Sequence, residues 1–472
     1  DGKGAEKRPS FVIGRIARLL PSISVETESA DKEYRLSAKS TALEYAGEHI
    51  GGALWQYFEG QGDAERALAA MKDASRYTRG HLSRDAVHAL YGGAVTLSAS
   101  RMDMARSCHF AYFMRYGLKA RERTGAGFDA PQIGTFVHDV MEHTLRQAKE
   151  CGGLHTLSKD KLHALVRASI EEYIDRVLPD LCEKSARFRY LFNRLCATVE
   201  RIMDEVSEEL QSSDFEPLAF ELEFGADGQL PAITIREENG TARVVGKVDR
   251  VDGWLHGGKL YLRVVDYKTG KKSFDLAELR YGLGLQMLLY LFTLKEEGQM
   301  LFGGHEIVPA GVLYTPAREP MLRCARDTEP EKIEKALKKE LRRSGMVLED
   351  PAVLQAMEHS ALESPCYLPI AVKRDGAVTG SLASAEQLGK LSKYVDHILH
   401  EITQEVFAGN IDADPYARTP QQSACTYCEF ASACHFENGC GSDRMEYIKA
   451  TKNDEFWQYI DGVNGEGAHE NG

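Results

Sequence analysis

Residues 264–270 read Val-Val-Asp-Tyr-Lys-Thr-Gly, and this run constrains the fold more than any other. Two β-branched residues suggest a buried strand that ends at a polar tip, and Gly270 allows a sharp exit. Side chains on a strand repeat with period two, so Asp266 and Lys268 share one face. Three strand-like runs lie here, at Leu218–Gly225, Val244–Trp254 and Leu260–Tyr267. A helical stretch over about 275–297 and a strand at Glu306–Tyr314 follow. Helix–β–β–β–helix–β is the order of an α/β core, a mixed sheet flanked by helices.

Taken alone, an Asp-x-Lys strand end is more often a surface ion pair worth under about 1 kcal/mol. Its neighbours change the reading. Asp249 lies one strand earlier, in Gly246-Lys-Val-Asp-Arg250; if the two strands pair, Asp249 and Asp266 converge on one hard cation. A lysine beside such an ion can orient water or offset developing charge. His138 and Glu142 stand four apart on an upstream helix, as do Gln286 and Tyr290 on the helix that follows the strands. His138 has an imidazole to complete the metal shell, although a lone helical histidine is usually a satisfied core residue. Glu221 is a possible extra acid, read here as an exposed strand carboxylate.

Composition excludes little else. The chain has 472 residues, 43% hydrophobic and 27% charged, which is ordinary globular usage and enough to bury cores without staples. No apolar run reaches the roughly 18 residues of a membrane span. The net charge of −13 does not suggest nucleic acid, but phosphate contact needs only a local basic surface. Residues 101–123 supply a candidate: Arg101, Arg106, Arg115, Lys119, Arg121 and Arg123 interleaved with Phe110, Tyr112, Phe113 and Tyr116. They read equally as the solvated face of an amphipathic helix, one that carries Cys108. No G-x-x-x-x-G-K-[ST] loop is present, so ATP hydrolysis by that route is not expected.

Ten cysteines without an apolar leader suggest a reducing, cytoplasmic setting, where clustered thiols more often hold metal than form disulfides. Cys425, Cys428 and Cys434 form C-x₂-C-x₅-C. By spacing alone the fourth ligand is nearby Cys440 or distant Cys108, and zinc remains open. Cys151, Cys182, Cys196, Cys324, Cys366 and Cys440 are otherwise expected to be buried small apolar residues.

The ordered set Gly134-x-x-x-His138, Glu221, Gly246-x-x-Asp249-Arg, Asp266-x-Lys268-Thr-Gly and Gln286-x-x-x-Tyr290 resembles the PD-(D/E)XK nuclease superfamily, and within it the RecB-type exonuclease branch. The resemblance implies a restriction-endonuclease-like core with large helical insertions. It implies metal binding (Mg²⁺) by His138, Asp249 and Asp266, catalysis by Asp249, Asp266 and Lys268, and DNA contact by Gln286 and Tyr290. Similarity to AddB-type nuclease subunits implies more. Cys108 would join Cys425, Cys428 and Cys434 around a 4Fe–4S cluster that staples the domain. The DNA would be single-stranded ends of an unwound duplex, cut on the 5′-terminated strand, and the partner an AddA-type helicase–nuclease subunit.

On this view residues 1–95 are a helical remnant of a helicase-like domain, including Lys7-Arg-Pro-Ser10. Residues 96–440 are the nuclease domain and 441–472 a polar, partly frayed tail. The chain starts with Asp and in mid-pattern, as a fragment would. Two alternatives stand: a stand-alone RecB-like nuclease of the CRISPR-adaptation type, and a DNA-binding scaffold that does no chemistry.

Overall fold

The computed structural model describes residues 11–23, 35–76, 78–121, 130–225, 228–325, 327–419 and 421–470. They fall into two compact units. One comprises Tyr91–Asp103, Arg123–Phe407 and Ala450–Gly472; the other comprises Asp1–Leu90, Met104–Glu122 and Ala408–Lys449.

In the first unit the strands are β1 (Ala94–Leu97), β2 (Glu216–Phe224), β3 (Ile233–Glu237), β4 (Gly240–Val244), β5 (Gly246–His256), β6 (Lys259–Lys268), β7 (Glu306–Pro316), β8 (Ser344–Leu348), β9 (Ile370–Val372), β10 (Val378–Gly380) and β11 (Leu382–Ala383). The helices that matter here are α1 (Ala130–Glu150), α2 (Ala186–Gln211), α3 (Gln286–Glu297), α4 (Ala385–Phe407) and α5 (Asn453–Glu470). Six strands make the central sheet, in the order β11-β8-β7-β6-β5-β2. β6 and β7 run parallel, whereas β2, β5 and β6 are antiparallel neighbours. Parallel neighbours need a crossover, and the segment carrying α3 supplies it by packing on β6 and β7. The sheet is therefore mixed and flanked by helices, as the strand order requires.

Three details depart from the sequence reading. Val244 ends β4, and a separate strand starts at Gly246; β3 and β4 form a hairpin that joins β1 in a second sheet. Those strands are short and half polar, so their alternation is weak. The helix expected over 275–297 breaks into Leu276–Arg280 and α3, because Gly282 and Gly284 adopt φ of +74° and +68°. Part of the polar C-terminal segment packs as a helix: α5 buries Phe456, Trp457 and Ile460. Asp461 there pairs with Lys390 of α4 at 2.8 Å. Ser384 and Gln387 cap the start of α4: each residue's amide donates to the other's side chain, at 2.9 and 3.1 Å.

A fully buried ionic network lies on the face of β5 and β6 opposite Asp249 and Asp266. Asp252 accepts from Arg250 and Arg263, at 3.0 and 2.9 Å. Glu209 of α2 accepts from Arg343 at 2.6 Å and lies 3.5 Å from Arg263. Burial opposes charge on Glu209, but Arg343, Arg263 and Arg250 outweigh it and hold the carboxyl down at about 2. Removing one member strands the others in a dry interior. Arg263→Leu is expected to destabilise the fold by roughly 3–5 kcal/mol, read as a lower denaturant midpoint; an unchanged midpoint would contradict the network.

In the second unit, helices Lys39–Glu48, Ala53–Phe58 and Asp63–Ser75 pack through Ala42, Ala46, Trp55, Phe58, Ala64 and Leu68. The first two of these helices are separated near Gly51, whose φ is +79°. Helix Phe11–Leu19 leaves its large apolar side chains exposed. Lys7 to Ser10, Glu122 and Arg123 lie outside the described residues.

Candidate active site and cysteine cluster

β5 and β6 pair with Arg250 opposite Val265, a register that brings Asp249 alongside Asp266. The amide of Tyr267 donates to Asp249 Oδ2 at 2.8 Å. His138, from α1, reaches the next peptide along the strand, with Nε2 2.9 Å from the Tyr267 carbonyl. That bond directs Nδ1 toward Asp249 Oδ1, 3.4 Å away. One residue thus holds both the imidazole and the carboxylate through its main chain.

Glu221 completes a group in which one ligand atom each from His138, Glu221 and Asp249 lies within 4.8 Å of the others. Its expected identity as an exposed carboxylate is corrected: the side chain is 12% exposed and binds Lys247 at 2.7 Å. The reason is backbone geometry. In the β2–β5 ladder Phe220 faces Arg250 and Leu222 faces Val248, while Glu221 between them has φ of +48°. A non-glycine residue there stores on the order of 1–3 kcal/mol of strain. Pairing of β2 with β5 was the signal that could have found it.

Asp266 sits beside this group with Oδ2 2.6 Å from Lys268 Nζ. Burial, then the charge of Asp249, pushes the Asp266 carboxyl up to about 6, with Lys268 and His138 opposing. Burial works against charge on His138, but the hydrogen bond and charge of Asp249 outweigh it, and the imidazole titrates at about 9. Protons therefore occupy a site whose donors are those of a cation shell. Glu142 shares α1 with His138 but turns to Arg146, at 2.8 Å.

Gln286 donates to the Tyr290 hydroxyl at 3.1 Å. A Cβ at Gly246 would come within 2.5 Å of the Tyr290 ring, so only glycine lets β5 pass there. Ser98, Ser100, Lys247, Gln286 and Tyr290 border an open cleft of ≈ 570 Å³. In the basic stretch over 101–123 Arg115 binds Glu429 at 2.7 Å; further along the chain Lys272 approaches Glu278 and Arg280 stacks on Tyr459, at 3.7 and 4.5 Å.

The four cysteines of the expected cluster all lie in the second unit. Cys108 is buried but not within a helix; it is extended, with φ of −175°, at the start of His109–Tyr112. The thiols act on one another: Cys434 on Cys108, and Cys428 and Cys434 on Cys425. Burial, aided by these neighbours, pushes Cys108 up to about 12 and also raises Cys425 and Cys434. Four sulfurs from two distant segments, with Cys108, Cys425 and Cys434 reluctant to ionise alone, suit a centre that supplies positive charge. The other cysteines are not buried as expected: Cys151, Cys182, Cys324 and Cys440 are exposed, and Cys196 and Cys366 are partly so.

Residues 96–435 match the family model of the PD-(D/E)XK nuclease superfamily, and the chain belongs to that superfamily. Among curated proteins it is similar to the B subunit of the ATP-dependent helicase/deoxyribonuclease of Acetivibrio thermocellus, at 32% identity. The proteins of the same name from Ruminiclostridium cellulolyticum and a Thermoanaerobacter species are 29% and 28% identical. Each alignment covers 98% of this chain and 42% of the relative, so the chain spans about two-fifths of their length. Among the described residues no helix is long and apolar enough to cross a membrane.

Proposed function

We propose that this chain is a metal-dependent deoxyribonuclease, the nuclease portion of an AddAB-type helicase–nuclease. It would hydrolyse phosphodiesters in single-stranded DNA ends, on the 5′-terminated strand, during double-strand-break repair and recombination. The observation that carries the reading is the meeting of His138, Glu221 and Asp249 within 4.8 Å, with the Asp266–Lys268 pair beside it at 2.6 Å. The relatives are named as one of the subunits of a helicase/deoxyribonuclease, which supports an AddA-type partner.

Two half-buried carboxylates and an imidazole fit a divalent cation, which we assign as Mg²⁺. When bound, such an ion polarises a phosphoryl oxygen and lowers the pKa of its water. His138 offers Nδ1, because Nε2 is committed to the Tyr267 carbonyl. Lys268 would place its ammonium beside the reacting phosphate, where it would hydrogen-bond the attacking water and offset charge in the transition state. Asp266 fixes that ammonium and, beside His138 and Asp249, serves as a third acidic group for the cation. Gln286 and Tyr290 contact the DNA strand, which follows the cleft past Lys247. Cys108, Cys425, Cys428 and Cys434 hold a 4Fe–4S cluster that ties two distant segments together.

The test is digestion of end-labelled single-stranded DNA by the purified chain, with and without Mg²⁺, and metal analysis on the same sample. Nucleotide release that requires Mg²⁺ supports the reading; absence of turnover with the metal bound would make the chain a scaffold.

A pH dependence follows. His138 is raised from 6.5 to about 9, so its proton stabilises the metal-free fold below 6.5, and that contribution is lost as pH rises through about 9. Asp266 is raised from 3.8 to about 6 and behaves alike over that lower window. A cation replaces these protons. The increase in melting temperature on adding Mg²⁺ is therefore expected to grow from about pH 6 to about pH 9; an increment flat with pH would contradict the assigned ligands.

A further inference from the structure

Arg79 lies in the connection before helix Arg84–Tyr91, outside the 96–435 span of the family match. Its side chain is 8% exposed and forks onto Asp443, Nε to Oδ1 and Nη2 to Oδ2, both at 2.8 Å. Nη2 also donates to the carbonyl of Cys434 at 2.9 Å. Its guanidinium carbon lies 4.5 Å from the centre of the Phe110 ring, two residues beyond Cys108. The Arg79 amide donates to Ser442 Oγ at 3.2 Å. One buried cation therefore touches the segment after Cys108, the backbone of Cys434 and the loop that follows it.

Asp443 organises that loop. Its Oδ2 accepts from the Glu437 amide at 3.3 Å and its carbonyl from Gly439 at 2.9 Å. The surroundings are otherwise acidic: Asp414, which binds His109 at 2.5 Å, faces Cys108, and Asp443 faces Cys434. A cluster ligated by four thiolates carries net negative charge, and its potential responds to nearby charge and hydrogen bonds. Thiolates beside two carboxylates need a compensating cation, and Arg79 is placed to supply it through a rigid fork that lysine lacks.

We propose that Arg79 is a positioning residue for the iron–sulfur cluster: it supplies a buried counter-charge at Cys434, and Asp443 tunes that charge. The inference rests on the cluster reading above. It is tested on the full chain purified without oxygen, by iron and zinc content, absorbance near 400 nm, resistance to a chelator and reductive titration of the cluster. Arg79→Gln is expected to lower iron retention severalfold and shift the midpoint potential downward. Arg79→Lys restores the potential more than the retention, because it keeps the charge and loses the fork. Asp443→Asn shifts the potential upward. Circular dichroism separates these effects from misfolding, and Asp443→Asn and Arg79→Lys remain informative if Arg79→Gln does not fold. Zinc without iron in the unaltered chain overturns the cluster reading and this inference with it. Iron in the unaltered chain, with midpoints unshifted or shifted in the same direction in Arg79→Gln and Asp443→Asn, overturns the role of Arg79 alone.

Discussion

Asp266→Ala and Lys268→Ala should each abolish Mg²⁺-dependent degradation of single-stranded DNA, a loss of at least about a hundredfold for a group acting on transition-state charge. The two variants fail for different reasons. Asp266 is buried at the end of β6 and its Oδ2 lies 2.6 Å from Lys268, so its removal frees the ammonium and takes a carboxylate from beside the cation site. Removing Lys268 leaves Asp266 buried next to Asp249 without its cation. The Asp266 pKa should then rise further, because Lys268 is among the influences that lower it. Both residues lie at the end of the strand rather than in the ionic network beneath it, so the fold should survive. The measurement is initial nucleotide release across a Mg²⁺ series, paired with a thermal melt. Full activity in both variants, or equal loss in a variant remote from the site, would remove the assignment.

Cys108→Ser should cost the chain its iron–sulfur cluster. The buried thiol feels the charge of Cys434, and the C-x₂-C-x₅-C set comes from a segment far along the chain. A link between such distant positions restricts the unfolded chain, worth about 5 kcal/mol in the chain-entropy picture for disulfides. Iron should fall from roughly four per chain to a small fraction, with loss of the band near 400 nm and a lower melting temperature. The unit that contains the cysteines should loosen first, read as faster amide exchange in residues 408–449 than in the central sheet. Stoichiometric zinc in the unaltered chain, or undiminished iron in Cys108→Ser, would refute this ligand set.

The positions that proved easiest to read were those whose chemistry and local period agree. Val264 and Val265 are buried, Asp266 and Lys268 share a face, and Ser384 and Gln387 cap α4 as their spacing demands. Misreadings arose where long-range packing overrules local pattern. α5 looks polar in sequence, yet Phe456, Trp457 and Ile460 find a buried face. Cys108 reads as part of a helix, but it breaks the helical run with extended backbone. Glu221 is an ordinary strand acid until the ladder shows a left-handed residue between two paired ones.

The sequence by itself determined the type of fold, the strand-end pair Asp266 and Lys268 and the spacing of the three downstream cysteines, because alternation and thiol chemistry act over a few residues. Tertiary structure alone decided which distant groups meet. His138 is held by the carbonyl and Asp249 by the amide of Tyr267, and Glu221 joins them through a kink in another strand. Arg79 reaches the carbonyl of Cys434 from the other end of the chain. Such meetings depend on strand register and helix packing, which no local period encodes.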